Sequence, residues 1–319
     1  MDSFIYSVNA TVPVFLVIVI GYIIGRLGII NDNFITVLNK YVFVVALPIK
    51  VALDMAKVDI LSYLDWKYIA YCFFVTLVSI LSIWALARKF VTVDSERGAF
   101  VQAAYRSSAA ILGIAFIENV YGSSEMAPLM IIGAVPLYNI FAVVVLVYEN
   151  PANHATGRAR IIKACKGVVT NPIIIGIVLG MVLSCFFHFT QLGIPGIIDK
   201  VASSIAVTAS PMALIAAGAG FRGTEAISKI KPTAAASLIK LVIIPAIFLP
   251  LAFALGFTDQ KLLALIIMLG SPTTISSYIM ASNLDGDAVL TSSVVVLTTM
   301  LSSVTLTFWI FVARSLGYM

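Results

Sequence analysis

Apolar residues run along this chain in ten blocks of membrane length, at 11–30, 35–55, 66–88, 98–121, 126–148, 169–187, 198–220, 233–255, 261–283 and 288–313, parted by short polar turns. A bilayer core takes about 20 apolar residues per helical span, and backbone polar groups in lipid must be bonded within their own span. The blocks are therefore predicted as transmembrane α-helices; the strands of a barrel would alternate apolar and polar residues instead. Two blocks break the pattern. The fourth, within AYRSSAAILGIAFIENVYG (104–122), and the ninth, within LGSPTTISSYIMASNLDGD (269–287), carry small, hydroxyl-bearing and helix-breaking residues in an otherwise apolar run.

Composition agrees with a polytopic membrane protein. Of 319 residues, 61% are hydrophobic and 11% charged, too few charges to solvate the surface of a soluble domain. The first block lacks a basic leader and a small-residue cleavage site, so it is expected to stay as a span. Three cysteines and two histidines, scattered without paired spacing, give no metal cage, cofactor site or disulfide framework. The net charge of +5 is what the Lys and Arg of cytoplasmic loops supply to fix orientation, and no nucleic-acid partner is expected.

The polar stretch 149–168 divides the spans five and five, so residues 1–148 read as one repeat, 149–168 as a cytoplasmic linker and 169–319 as a second repeat. Arg26, Arg88, Lys89, Arg97, the linker cations, Arg222, Lys229 and Lys231 fall on one side. Lys57, Lys67, Lys200 and Lys261 fall on the other, which predicts both termini outside. The halves echo each other: PVFLVIVIG (13–21) recurs as PIIIGIVLG (172–180), and VALP ending at Pro48 recurs as TASP ending at Pro211. Two consecutive units with an odd number of spans enter the membrane from opposite sides. The result is an inverted repeat, an architecture common among secondary transporters.

The fourth and ninth spans are then equivalent members of the two halves. Pro272 cannot continue a helix, and Ser271, Thr273, Thr274, Ser276, Ser277 and Tyr278 offer hydroxyls to a freed backbone or to a ligand. Arg106, deep in the fourth span, needs a partner or water; an anionic substrate is one answer and snorkelling to the interface another. Lys240 is the second intramembrane cation, a candidate for substrate attraction or structural locking. Lys50 and Asp54, four apart on one helix face, pair with each other near the external interface. Glu118 is read as a rim residue, and Asp285 with Asp287 lacks the rest of a calcium loop. Paired intramembrane aspartates and GxxxxGK[ST] are absent, which argues against a protease or an ATP-driven pump and for no enzyme; a channel stays open.

These residues resemble the auxin efflux carrier family, which includes the plant PIN-FORMED auxin exporters and bacterial malate and malonate permeases. The resemblance rests on LNKYVFVVALP (38–48), Asn171-Pro172 with Gly180, SPMALIAAG (210–218), Lys240-Leu241-Val242 with Pro245, and Ser271-Pro272-Thr273, in that order. It implies an all-α fold of ten helices in a 5+5 inverted repeat, with the fourth and ninth broken and crossing beside the substrate. It also implies a scaffold domain from helices 1, 2, 6 and 7 and a mobile transporter domain from helices 3–5 and 8–10, an elevator, and a homodimer in the bacterial inner membrane. Arg106, Ser107, Ser108, Gly113 and Ala115 fall in the first crossover, and Pro272, Thr273, Thr274, Ser276, Ser277 and Tyr278 in the second. This chain departs from the family where an Asn is usual near Ser108 and a Pro at Ala115, and it lacks the plant exporters' Pro at Ser277, so either the break rests on Gly113 and Pro272 or the crossing is less unwound.

The function expected is secondary transport, by efflux or exchange, of a small organic anion, a carboxylate. Arg106, Lys240, Thr273, Thr274, Ser276 and Ser277 are expected to recognise it, with Tyr138 and Asn139 as neighbours. Pro48 and Pro211 are given to scaffold geometry. The alternatives on the same fold are an anion channel and a sensor or scaffold without transport, and no coupling ion is identified.

Overall fold

Asn31, Asp65, Asn171 and Asp287 each accept a hydrogen bond from the first turn of the helix they precede, and these caps mark where the polar turns give way to long helices. The computed structural model describes residues 2–57, 65–109, 117, 121, 126–150, 157–221 and 223–319, and no strand occurs among them. The helices are α1 (Asp2–Arg26), α2 (Asp32–Ala56), α3 (Trp66–Phe90), α4 (Asp94–Tyr105), α5 (Ala127–Glu149), α6 (Gly157–Val169) and α7 (Pro172–Thr190). They continue with α8 (Gly196–Ala219), α9 (Gly223–Ser228), α10 (Ile230–Ala254), α11 (Asp259–Gly270), α12 (Ser276–Asn283) and α13 (Ala288–Ser315).

Among the described residues, seven helices are long and apolar enough to cross a membrane: α2, α3, α5, α7, α8, α10 and α13. The expected fourth span is helical as α4 and breaks after Tyr105; the expected ninth is split into α11 and α12. The stretch read as a linker is partly helical, because α6 lays buried Ala164 inward and seats Gly167 against Val143 and Val147 of α5.

Two prolines set local geometry. Pro48 and Pro245 each follow a π-helical turn, Val42–Ala46 in α2 and Ile239–Ile243 in α10. A proline ring collides with the carbonyl four residues back, and the wider turn takes up that strain without ending the helix.

Glycines let the helices approach closely, as membrane packing requires. A Cβ at Gly176 would lie 2.5 Å from the Pro48 carbonyl oxygen, and one at Gly180 2.5 Å from that of Ala52, so α7 lies directly on α2. In the same way Gly21 meets Ile215 and Gly218 meets Ile18, which joins α1 to α8. Buried side chains gather in two clusters. One joins α3, α4, α5, α10, α11 and α13; the other joins α1, α2, α7 and α8 with faces of α5, α12 and α13.

Charged residues collect at helix ends. Glu149, 3% exposed in its side chain, accepts from Trp84 Nε1 at 2.7 Å and Arg97 Nη1 at 3.2 Å, and pairs with Arg88 Nε at 3.2 Å. Lys229 pairs with Glu96 at 2.9 Å and with Asp287; burial alone would lower its pKa, but those two carboxylates hold it above the usual value. At the opposite helix ends Lys261 pairs with Asp65 at 2.6 Å, and that hydrogen bond is the main cause of the lowered Asp65 pKa. Removing the shared carboxylate with Glu149→Ala takes one of its two carboxylates from Arg97, which keeps Asp94 at 2.6 Å, and leaves Trp84 Nε1 without its acceptor. We expect a loss of about 2–3 kcal/mol, at or below the low end for a buried pair because Arg88 is half exposed. Thermal unfolding of the purified protein measures it.

Candidate functional site

The helices α4 and α11 end in the same way. Arg106 (φ −66°, ψ 147°) follows α4, and Ser271 (φ −72°, ψ 160°) follows α11; each is extended, and each donates its N–H to the carbonyl four residues back. The extended stretches lie against each other. Ser108 N–H donates to the Pro272 carbonyl at 3.0 Å, the Thr273 hydroxyl donates to the Ala103 carbonyl at 2.7 Å, and the Ser107 and Ser271 hydroxyls are 2.5 Å apart. Thr273 N–H is met by the Thr298 hydroxyl of α13 at 3.1 Å. Backbone groups freed by the breaks thus find partners, as groups away from water must.

Among the described residues the first break lies at Arg106–Ser108, at the start of the expected crossover, and contains no glycine or proline. Gly113 and Ala115 lie outside the described residues. Serines compete with helical hydrogen bonds through their hydroxyls, and here the neighbouring stretch supplies the tertiary bonds that hold them extended.

Beside the breaks is a cavity of about 80 Å³. Arg106, Ser107 and Ser108 line it from the first break, Thr274 and Ser276 from the second, and Tyr138 and Asn139 from α5. Arg106 is 2% exposed, which rules out snorkelling. Its Nη2 donates to Asn139 Oδ1 at 3.0 Å and to Ser276 Oγ at 2.8 Å, and its Nη1 lies 2.7 Å from the Met280 sulfur. Its Nε has no acceptor, and among the described residues no carboxylate pairs with it. The far wall comes from α2, α7 and α8 as Lys50, Asp54, Ile173 and Ser210, with Lys50 and Asp54 3.3 Å apart. The pair expected from the helical spacing forms, and it adds a wall to the cavity; Ser210 was not among the expected residues. The signal was present, since Lys50 follows Pro48 and Ser210 precedes Pro211.

Other expected residues are elsewhere. Lys240, 1% exposed, donates to the Leu269 carbonyl at 2.7 Å and the Met268 carbonyl at 3.2 Å, and does not line this cavity. Tyr278 points to the opposite side of α12, where its hydroxyl accepts from Asn39 Nδ2 at 3.2 Å and donates to the Ala216 carbonyl at 3.4 Å. Ser277 is buried and gives its carbonyl to Gln102 Nε2 at 3.0 Å. Pro272 and Thr273 hold the two stretches together without facing the cavity. Pro48 packs on Gly176, and Pro211 is exposed in the first turn of the second half of α8.

The cavity is suited to an anion. It offers a forked guanidinium, hydroxyls and an amide, and the N-terminus of α12 begins at its wall with Ser276. Arg106 and Lys50 against Asp54 leave one net positive charge.

A model of a family described as membrane transport protein matches residues 6–310. An uncharacterized transporter of Methanothermobacter thermautotrophicus is 23% identical over 316 residues, which cover 96% of this chain and 98% of that one.

Proposed function

The chain belongs to the membrane transport protein family, that of the auxin efflux carriers, and from that premise we propose that it is a secondary transporter of a small, singly charged organic anion, a carboxylate. The observation that carries this reading is Arg106, a buried cation that pairs with no carboxylate among the described residues, in a cavity between two interrupted helices. A buried charge left without a counter-ion is costly, and a substrate carboxylate would supply one.

The reading extends to a ten-helix, 5+5 inverted repeat with the interrupted helices crossing. In its support, α1 packs on α8 through Gly21 while α7 packs on α2 through Gly180, the same pairing with the halves exchanged. The matching ends of α4 and α11 support it as well.

Transport is by an elevator, in which α3–α5 and α10–α13 move against a scaffold of α1, α2, α7 and α8, in a homodimer of the bacterial inner membrane with termini outside. The ion pairs named here, all among the described residues, each fall within one of these two groups. Lys57–Asp199 joins α2 and α8, whereas the pairs of Glu149, Lys229 and Lys261 tie only the other group. An interface that these pairs do not cross slides at lower cost than one that must break and desolvate them. The orientation is supported by Arg88, Arg97 and Lys229 at the helix ends nearest the central polar stretch.

A thermal-shift screen of organic acids, then uptake into liposomes, tests the function. We expect saturable uptake of a monocarboxylate, inhibited by its analogues. Conduction at channel rates without saturable uptake, or binding without flux, would overturn it.

A further inference from the structure

A second, smaller cavity lies behind the first, about 10 Å³ in volume, close to the space of one water. Its walls are Thr76 and Ser79 of α3, Tyr105, Tyr138, Lys240 and the end of α11 at Met268 and Leu269. The lining is rich in oxygen and, among the described residues, contains no carboxylate. Two carbonyls at the C-terminal end of α11 accept from Lys240 Nζ, the buried Thr76 hydroxyl lies against that of Tyr138, and the buried Ser79 hydroxyl has no hydrogen-bond partner among the described residues. Tyr138, whose hydroxyl reaches toward the Met268 carbonyl at 3.5 Å, also lines the anion cavity.

Carbonyl and hydroxyl oxygens around a compact positive charge, at the negative end of a half-helix, are the chemistry by which transporters hold sodium ions. We propose that this is a monovalent-cation site whose cation is supplied by the chain itself, the Lys240 ammonium. A hard alkali ion and an ammonium both draw on such oxygens, and only one fits a space this small. The fixed charge keeps the freed carbonyls of α11 satisfied in every state, so the wild-type site requires no Na⁺. Shortening the side chain exposes the oxygen set to an ion from solution. The assignment concerns ion binding and does not depend on which anion is carried, or on transport at all.

The test compares melting temperatures of purified wild-type, Lys240→Ala and Lys240→Met protein in NaCl, KCl or choline chloride at constant ionic strength. Wild type is expected to show no difference among the salts. Lys240→Ala, with both the charge and the bulk removed, is expected to rise in melting temperature with Na⁺ or K⁺ along a saturable curve, and not with choline. Lys240→Met fills the space without charge and is expected to fold and ignore the salts. Adding Thr76→Val and Ser79→Ala to Lys240→Ala should weaken the apparent ion affinity at least tenfold. Recovery of folded Lys240→Ala only in sodium or potassium buffer supports the proposal in the same sense. A folded Lys240→Ala that melts alike in all three salts overturns it, as does its loss in all three. A saturable Na⁺ effect in wild type overturns it as well, and an ion affinity unchanged by the two hydroxyl substitutions overturns the location.

Discussion

Arg106→Ala is expected to lose the ligand-induced thermal shift seen with a carboxylate substrate and to reduce uptake to background. Arg106 is the one cationic side chain lining the cavity from the interrupted helices, and it is buried with Nε unbonded and its Nη groups held by the neutral Asn139 and Ser276. Truncating one partner of a buried, hydrogen-bonded charge pair costs about 2–5 kcal/mol. At 1.4 kcal/mol per factor of ten, affinity should fall by about 30-fold to several thousand-fold. Arg106→Lys keeps the charge but not the planar fork, so an intermediate loss is expected. The readout is the ligand-induced shift and not the melting temperature of the free protein, because Arg106 also braces Asn139 and Ser276. An unchanged affinity in Arg106→Ala would remove the cation from substrate recognition and leave the fold untouched.

Spans were legible because hydropathy over membrane-length blocks dictates helices whatever they pack against, and α2, α3, α5, α7, α8, α10 and α13 follow it. The breaks were legible as regions but not as positions. Arg106–Ser108 contains no helix breaker, and it stays extended because Pro272 and Ser271 on a distant stretch offer partners, a tertiary fact that local propensity does not encode. The same limit applies to the site. Ser276 and Tyr278 are two residues apart, but a helix turns by about 200° over two residues, so one reaches the cavity while the other reaches Asn39. Lys240 was recognisable as an intramembrane cation, yet nothing in its neighbours along the chain reveals that the end of α11 takes its hydrogen bonds. Lys50 and Asp54 were readable as a pair at helical spacing, and only the packing of α2 against α7 and α5 turns that pair into a cavity wall.

A disulfide between Asn39→Cys in α2 and Ser282→Cys in α12 is expected to stop transport completely, with activity returning on reduction. Asn39 Nδ2 donates to Ser282 Oγ at 3.2 Å, and Asn283 Nδ2 approaches the Asn39 carbonyl at 3.5 Å, so the two helices are close enough for side chains to join. Ser282 is exposed and Asn39 is 4% exposed, which leaves one of the two thiols open to an oxidant. The exposed native Cys165 and half-buried Cys185 are first replaced by serine, while buried Cys72 is kept. On the elevator reading, α12 travels with the anion cavity and α2 stays, so the contact must break and re-form in each cycle at the cost of neutral hydrogen bonds, about 1 kcal/mol apiece. A covalent bond cannot be broken by thermal motion at that scale. Binding measured by thermal shift should survive in the oxidised protein while flux does not, which separates a locked carrier from a damaged site. If the cross-linked protein carries substrate at the reduced rate, α2 and α12 do not part during transport and the two-body division is wrong.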